Sequence, residues 1–270
     1  MRVSDTHRYA FWDTNRVIAI TVLALLPSLG VTIWENGSAI IAPLTFLAGL
    51  SVFWYSVFAR LRQMPMCWDG ISWAILFVLF LPDAVPLWQQ GLALSFGVIM
   101  GALIFGGHGR GFLNPVTVGI AFLLFSFPGS ALQTPTVSTT IAAVYGGALL
   151  LATGLLSLRI VVGFAGSFAL LGTLFSVPDL WESARNASLL LGVVFLIGDP
   201  IAAASTNPGR SIYGLLAGSL VIFLTLSTDA SGIPAATVFA ALLSSIFAPL
   251  IDQIVIWTNV RRRAGRQING

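Results

Sequence analysis

The sequence predicts an all-α, polytopic membrane protein of about ten transmembrane segments, arranged as two inverted five-helix repeats with broken helices. Three observations predict it. Of 270 residues, 57% are hydrophobic and only 9% charged, whereas soluble domains carry roughly 25% charged residues. The apolar runs are mostly long enough to cross a ~30 Å hydrocarbon core as helices, which needs ~20 residues each. Finally, the second half echoes the first: FLPDAVP resembles FLIGDPIA, and NPVTVGIAFLLFSFP resembles IPAATVFAALLSSIFAP. An odd number of segments per half requires opposite orientations, so the halves are read as 1–127 and 141–260 of a single membrane domain, 1–270, joined by a short outer loop at 128–140.

Taken in order, segment one covers 16–34 and segment two 38–59, closed by Arg60 and Arg62. Trp34 and Trp54 suit an interfacial belt, a core position or a lipid-facing one. Segment three, 70–81, is too short to span and stops where Pro82 and Pro86 break the helix around Asp83. Segment four, 87–105, runs into GGHGRGFLNP, whose four glycines let the backbone turn through positive φ. Segment five, 115–127, opens with proline at a favoured first position. An uncharged loop, PGSALQTPTVSTT, then leads to segments six (141–157) and seven (160–175), which turn around Arg159. Segment eight, 187–197, is again short and breaks at Gly198, Asp199 and Pro200. Segment nine, 212–225, contains Gly214 and Gly218 at GxxxG spacing, a helix-packing signal. Segment ten, 234–257, ends in Arg261, Arg262 and Arg263.

All 13 basic residues are arginine. With ten segments, every one except Arg185 falls on the same side, which makes that side and both termini cytoplasmic. The net charge of +3 is therefore spent on membrane orientation and implies no nucleic-acid partner. A polar, mixed-charge beginning speaks against a signal peptide. The single cysteine, Cys67, cannot hold an iron–sulfur cluster or form an internal disulfide.

Several groups are candidates for chemistry. Asp83 and Asp199 stand at matching helix breaks; a carboxylate inside a membrane marks an ion or proton pathway or a cofactor contact, or else caps a broken helix. Arg110 and Asn114 in the glycine loop, with Arg210 and Tyr213 in the later cytoplasmic stretch, are candidates to hold an anionic or planar group. Thr206, Asn207 and Gly209 belong to that later stretch. His108 either titrates near neutral pH or is a solvated loop residue. Asp252 is expected to pair with an arginine near the inner surface. The outer loop supplies Thr134, Thr136, Ser138, Thr139 and Thr140, as turn residues or as an attachment point.

Four blocks in order, DGISWAILFVLFLPDAVPLW, FGGHGRGFLNP, DPIAAASTNPGRSIYG and FAPLIDQIVIWTNVRRR, resemble the RnfD/NqrB family, the homologous membrane subunits of Rnf electron-transport complexes and sodium-pumping NADH:quinone reductases. The resemblance implies a fold like that of urea transporters and a place beside other integral membrane subunits in a bacterial-type inner membrane. It also implies electron transfer from a cytoplasmic donor coupled to Na⁺ or H⁺ movement, and an FMN joined through its phosphate to a threonine of an S/T-x-A-T motif in the outer loop. That loop is short in this chain. Its nearest match is Thr136, Val137, Ser138 and Thr139, which makes Thr139 the expected attachment residue and Thr140 the next. Two other readings remain open: a structural subunit without cofactor, and a urea-channel-like pore for a small neutral solute.

Overall fold

The computed structural model describes residues 14–63, 67–81, 85–128, 132, 136–177, 186–227 and 232–268. Asp83, Pro82, Thr134 and Arg185 lie outside the described residues. Among the described residues every regular element is helical, as expected for backbone that must satisfy its own hydrogen bonds in lipid.

The first four long helices are α1 (Thr14–Asn36), α2 (Ile41–Arg62), α3 (Asp69–Phe80) and α4 (Leu87–Val98). Gly37, at φ +63°, turns the chain between α1 and α2, a conformation open to glycine because it lacks a Cβ. α5 (Pro115–Ser126), α6 (Val137–Thr153), α7 (Leu158–Leu174), α8 (Ala187–Leu191), α9 (Asn207–Ser227) and α10 (Gly232–Ile268) follow. The ends of α4 and α8 widen into π-helical turns over Ile99–Leu103 and Gly192–Ile197.

Ten α-helices are present among the described residues, and they differ widely in length. Among those residues three stretches are long and apolar enough to cross a membrane: Thr14–Arg62, Asn207–Ser227 and Gly232–Arg261. The others are shorter, and α3 and α5, with 12 residues each, reach only about 18 Å, against a hydrocarbon core of ~30 Å. Proline, glycine and capping residues end them early.

Boundaries move where caps decide them. α6 begins four residues before the expected start, because the Thr136 hydroxyl accepts from the Thr139 N–H; it stops at Gly154, φ +77°. α9 begins five residues early, since the Thr206 hydroxyl accepts from Gly209 N–H. α10 continues through the arginine cluster to Ile268, because arginine is a good helix former and charge alone does not end a helix.

The core is built around α3, nearly all of whose residues are buried, with Phe77 and Phe80 among the largest buried side chains. α3 packs on α1, α2 and α5; α4 packs on α5 and α2. In the second half α8 packs on α6, α9 packs on both α7 and α10, and α10 also lies against the π-turn after α8. α1 meets α6, and α5 meets α10. Close backbone approach is secured by small residues. A Cβ on Gly101 would lie 2.7 Å from Pro115 Cα, and one on Gly214 would lie 3.1 Å from the Ile160 carbonyl carbon, so the GxxxG of α9 serves packing against α7. Trp34 is 89% exposed, whereas Trp54 is turned inward, donating from Nε1 to Ser95 Oγ at 2.8 Å.

Candidate functional site

The glycine loop between α4 and α5 forms one wall of the site. Gly106, Gly107 and Gly109 have φ of +110°, +90° and +74°. At Gly107 there is a second reason for glycine, because a Cβ there would lie 2.8 Å from the Tyr55 hydroxyl oxygen. The loop is pinned from α2 at two points. Tyr55 Oη accepts from the His108 backbone N–H at 3.5 Å. Arg62 Nη1 donates to the Leu103 and Ile104 carbonyls at 3.1 and 2.7 Å. Arg62 is therefore the cation at the carbonyl end of the α4 π-turn, sharing the Leu103 carbonyl with the Gly106 N–H. Arg110 is exposed and lies over Gly106.

This arrangement delivers His108 to Asp69. Asp69 is the first residue of α3, and its Oδ2 lies 2.5 Å from His108 Nδ1, with side chains 3% and 18% exposed. Because an ionised carboxylate only accepts, Nδ1 is the donating nitrogen. Cys67 Sγ donates to the same oxygen at 3.6 Å. Burial by itself lowers the imidazole pKa, but the hydrogen bond to Asp69 and the charge of that carboxylate outweigh it, and the net direction is upward. The reading of His108 as a solvated loop residue is thereby corrected. Nothing in the sequence singles out Asp69 as its partner, since the two are brought together only by the docking of the loop on α2 and α3.

Asn114 forms the opposite wall. Its Oδ1 caps α5 by accepting from Val116 N at 2.9 Å and Thr117 N at 3.3 Å. Its Nδ2 donates to Asp199 Oδ2 at 2.8 Å and to the Phe195 carbonyl at 3.3 Å. Asp199 Oδ1 accepts from Ile201 N at 3.1 Å. Asn114 and Asp199, two sequence-predicted site residues, are thus joined to each other across the junction of the α5 start and the α8 end.

Between these walls is a cavity of about 80 Å³, lined by Asp69, His108, Asn114, Asp199, the π-turn residues Gly101, Ala102, Val194 and Phe195, and apolar side chains of α1 and α6. At ~10–15 Å³ per water, it has room for several. Widened π-turns on both sides suit a site, since such turns recur at functional positions. No sequence pattern announces them.

Other predicted residues lie elsewhere. Arg110, Arg210 and Tyr213 do not line this cavity. Arg210 Nε donates to the Ala204 carbonyl at 3.2 Å, and Tyr213 is 0% exposed, which leaves no ring face for stacking a ligand. The expected pairing of Asp252 with an arginine is replaced by another: its carboxylate accepts from the backbone N–H and hydroxyl of both Ser205 and Thr206 at 2.5–2.9 Å. Four aimed donors at the head of α9 are a better partner than a mobile surface guanidinium, and they fill the place where an external anion would bind. Thr139 is 3% exposed, with its hydroxyl 3.2 Å from that of Thr136. Thr140 Oγ1 donates to the Thr136 carbonyl at 3.1 Å. Thr136 in turn donates to Glu35 Oε1 at 2.6 Å.

A flavin tests these residues directly. Asn114 has spent both donors and its acceptor oxygen on protein groups, and Thr139 is enclosed in the first turn of α6, so as folded neither fits as a ligand or attachment point. Among the described residues no group of three His, Cys, Asp or Glu side chains is placed to hold a metal ion.

The model of the NQR2, RnfD, RnfE family matches residues 2–138 and 132–261. Similar proteins include a subunit of the Na(+)-translocating NADH-quinone reductase of Stutzerimonas stutzeri (strain A1501), 30% identical over 88% of this chain and 73% of that protein. The protein of the same name from Pseudomonas paraeruginosa (strain DSM 24068 / PA7) is 31% identical over 87% of this chain and 72% of its own. That of Chromohalobacter salexigens is 29% identical over 87% and 71%.

Proposed function

Because the chain belongs to the NQR2, RnfD, RnfE family, we propose that it serves in flavin-assisted electron transfer coupled to Na⁺ or H⁺ transport, as a membrane subunit of an RnfD/NqrB-like redox complex. The observation that carries the coupling is the cavity: two carboxylates and an imidazole gathered where α3, the glycine loop and the end of α8 meet. In a chain with so few charges, such groups are retained for moving or holding charge. When bound, a flavin supplies one- and two-electron chemistry. The chain's own contribution is to hold the loop against α2 and α3, to keep Asn114 fixed between α5 and Asp199, and to place protonatable groups on a shared cavity.

The two-half architecture is part of the same reading, with 1–127 and 141–260 as inverted repeats in a urea-transporter-like fold. The pattern of packing supports it. Each helix of the first half is assigned the helix five places later as its counterpart: α4–α5 packing corresponds to α9–α10, α2–α4 to α7–α9, and α1–α3 to α6–α8, while α1–α6 and α5–α10 map onto themselves. The arginine asymmetry supports cytoplasmic termini and an inner-membrane location, with other integral membrane subunits as partners. Asp83 is the counterpart of Asp199 in this scheme and a second candidate for the ion pathway.

Attachment of FMN at the enclosed Thr139 requires the first turn of α6 to open. Arg110 and Arg210 remain candidates only for a cofactor seated away from the cavity, whereas the fully buried Tyr213 does not as folded. The enclosed Thr139 and the saturated Asn114 favour a second reading, a member of the complex that carries no flavin itself. Co-expression with a flavin transferase, followed by in-gel ultraviolet fluorescence and intact mass, separates the two. Fluorescence with a mass raised by one FMN supports the first; a bare polypeptide mass removes covalent flavin and leaves the second. Liposome flux of urea-like solutes by the purified chain would instead favour the pore reading.

A further inference from the structure

We propose that Asp69 and His108 form a proton-exchange pair serving the cavity, that Asp199 is the carboxylate able to take up the proton through cavity water, and that this site handles H⁺ and not Na⁺. The inference deepens the reading above by naming the ion at this site, and it rests on that reading only for the purpose the proton serves.

The chemistry follows from the groups that face the pair. From α2 comes the Tyr55 hydroxyl, which accepts the His108 N–H; from the turn before α3 comes the Cys67 thiol, on Asp69 Oδ2; Asp199 lines the same cavity from the end of α8. Among the described residues no arginine lines it. Two carboxylates in a space without a fixed cation repel each other and attract one. Of the lining side chains His108 is the one able to become cationic, and its Nδ1 is committed to Asp69, so Nε2 is the nitrogen that gains and releases the exchangeable proton. Transfer is then a simple balance: imidazolium Nε2–H gives its proton to water, water passes one to an Asp199 oxygen, and a neutral imidazole and a neutral carboxyl remain.

Sodium fits this site poorly. A hard cation is held by a shell of several oxygens. Asp69 Oδ2 is already taken by His108 and Cys67. Both Asp199 oxygens and the Asn114 oxygen accept protein N–H groups. An imidazolium next to Asp69 would repel a second cation outright.

The test reads the imidazole itself. The full chain carrying His7→Gln, so that one histidine remains, is labelled with ¹⁵N-histidine, placed in lipid nanodiscs and followed by NMR against pH. Sodium chloride is compared with choline chloride at equal ionic strength. The expected result is one titration with a midpoint above the ordinary histidine value of about 6.5, the same in both salts, and proton binding weakened about tenfold or more in Asp69→Asn. Asp199→Asn, which removes the more distant charge, is expected to weaken it less. A midpoint lowered by sodium, an Asp69→Asn midpoint equal to that of the parent, or an imidazole that does not titrate would each overturn the proposal. If Asp69→Asn fails to fold, the sodium comparison on the parent chain decides alone. No flavin or partner protein is needed, so a failure of the redox reading leaves this result standing.

Discussion

The glycine loop after α4, with Arg110 and Asn114, and the loop that leads into Asn207, Gly209 and Arg210 at the head of α9 are each anchored by a buried or half-buried aspartate, and the two anchors do different work. The loop after α4 is held through His108 on Asp69 and by Tyr55 and Arg62. The loop before α9 is held by Asp252, which takes four neutral donors from Ser205 and Thr206. Neutral donors leave a carboxylate charged and satisfied, which makes Asp252 a structural cap. An imidazole partner makes the other anchor titratable, and only that anchor faces the cavity. Residue types alone do not distinguish a fastening from a site; the protonation chemistry of the partner does.

Substitutions sharpen the contrast. The largest effect is expected from Asn114→Ala, which uncaps α5 and strips Asp199 of a charge-assisted hydrogen bond in one step. A loss of about 2–3 kcal/mol, read as a lower unfolding temperature in detergent, is expected, and a loss no greater than that of a surface substitution would sink the cross-element role. Asp252→Ala comes next, at about 2 kcal/mol, with Asp252→Asn recovering part of it; its effect should be independent of pH across neutrality.

Gly107→Ala should cost about 1–2 kcal/mol, because it combines a positive φ with contact on Tyr55 Oη. Phe in place of Tyr55 should relieve some of that cost, a non-additivity measurable in a double-mutant cycle. The smallest expected change lies in pH dependence. His108 has its folded pKa raised, so its stabilising contribution is complete below the unfolded value of about 6.5 and disappears as pH rises through the folded value. Unfolding temperature should therefore fall from mildly acidic to alkaline pH in the parent chain and fall less steeply in His108→Gln. An unchanged slope would put the titrating group elsewhere.

Much of this architecture was legible in the residues. Hydrophobic content, the arginine distribution and the broken apolar runs gave a helical membrane protein, and the ordered motifs pointed to a family that the comparisons bear out. The glycine loop read correctly as a positive-φ bend, since GGHGRG offers few other conformations. Boundaries were less legible wherever a single hydroxyl or carboxamide set them, as Thr136 does for α6 and Thr206 for α9. The site was legible in part: Asn114 was named for contact with a ligand and Asp199 for an ion pathway, a cofactor contact or a cap, and the two are hydrogen-bonded to each other.

The sequence by itself determined what the backbone must do, because apolar length, glycine and proline act over a few residues and leave local marks. Only the tertiary structure decided which polar groups meet. Asp69 and His108 are separated by α3, α4 and their turns, and a hydrogen bond across that distance depends on how those helices dock. Small residues such as Gly101 and Gly119 allow that docking, and no local pattern encodes the pairing that results.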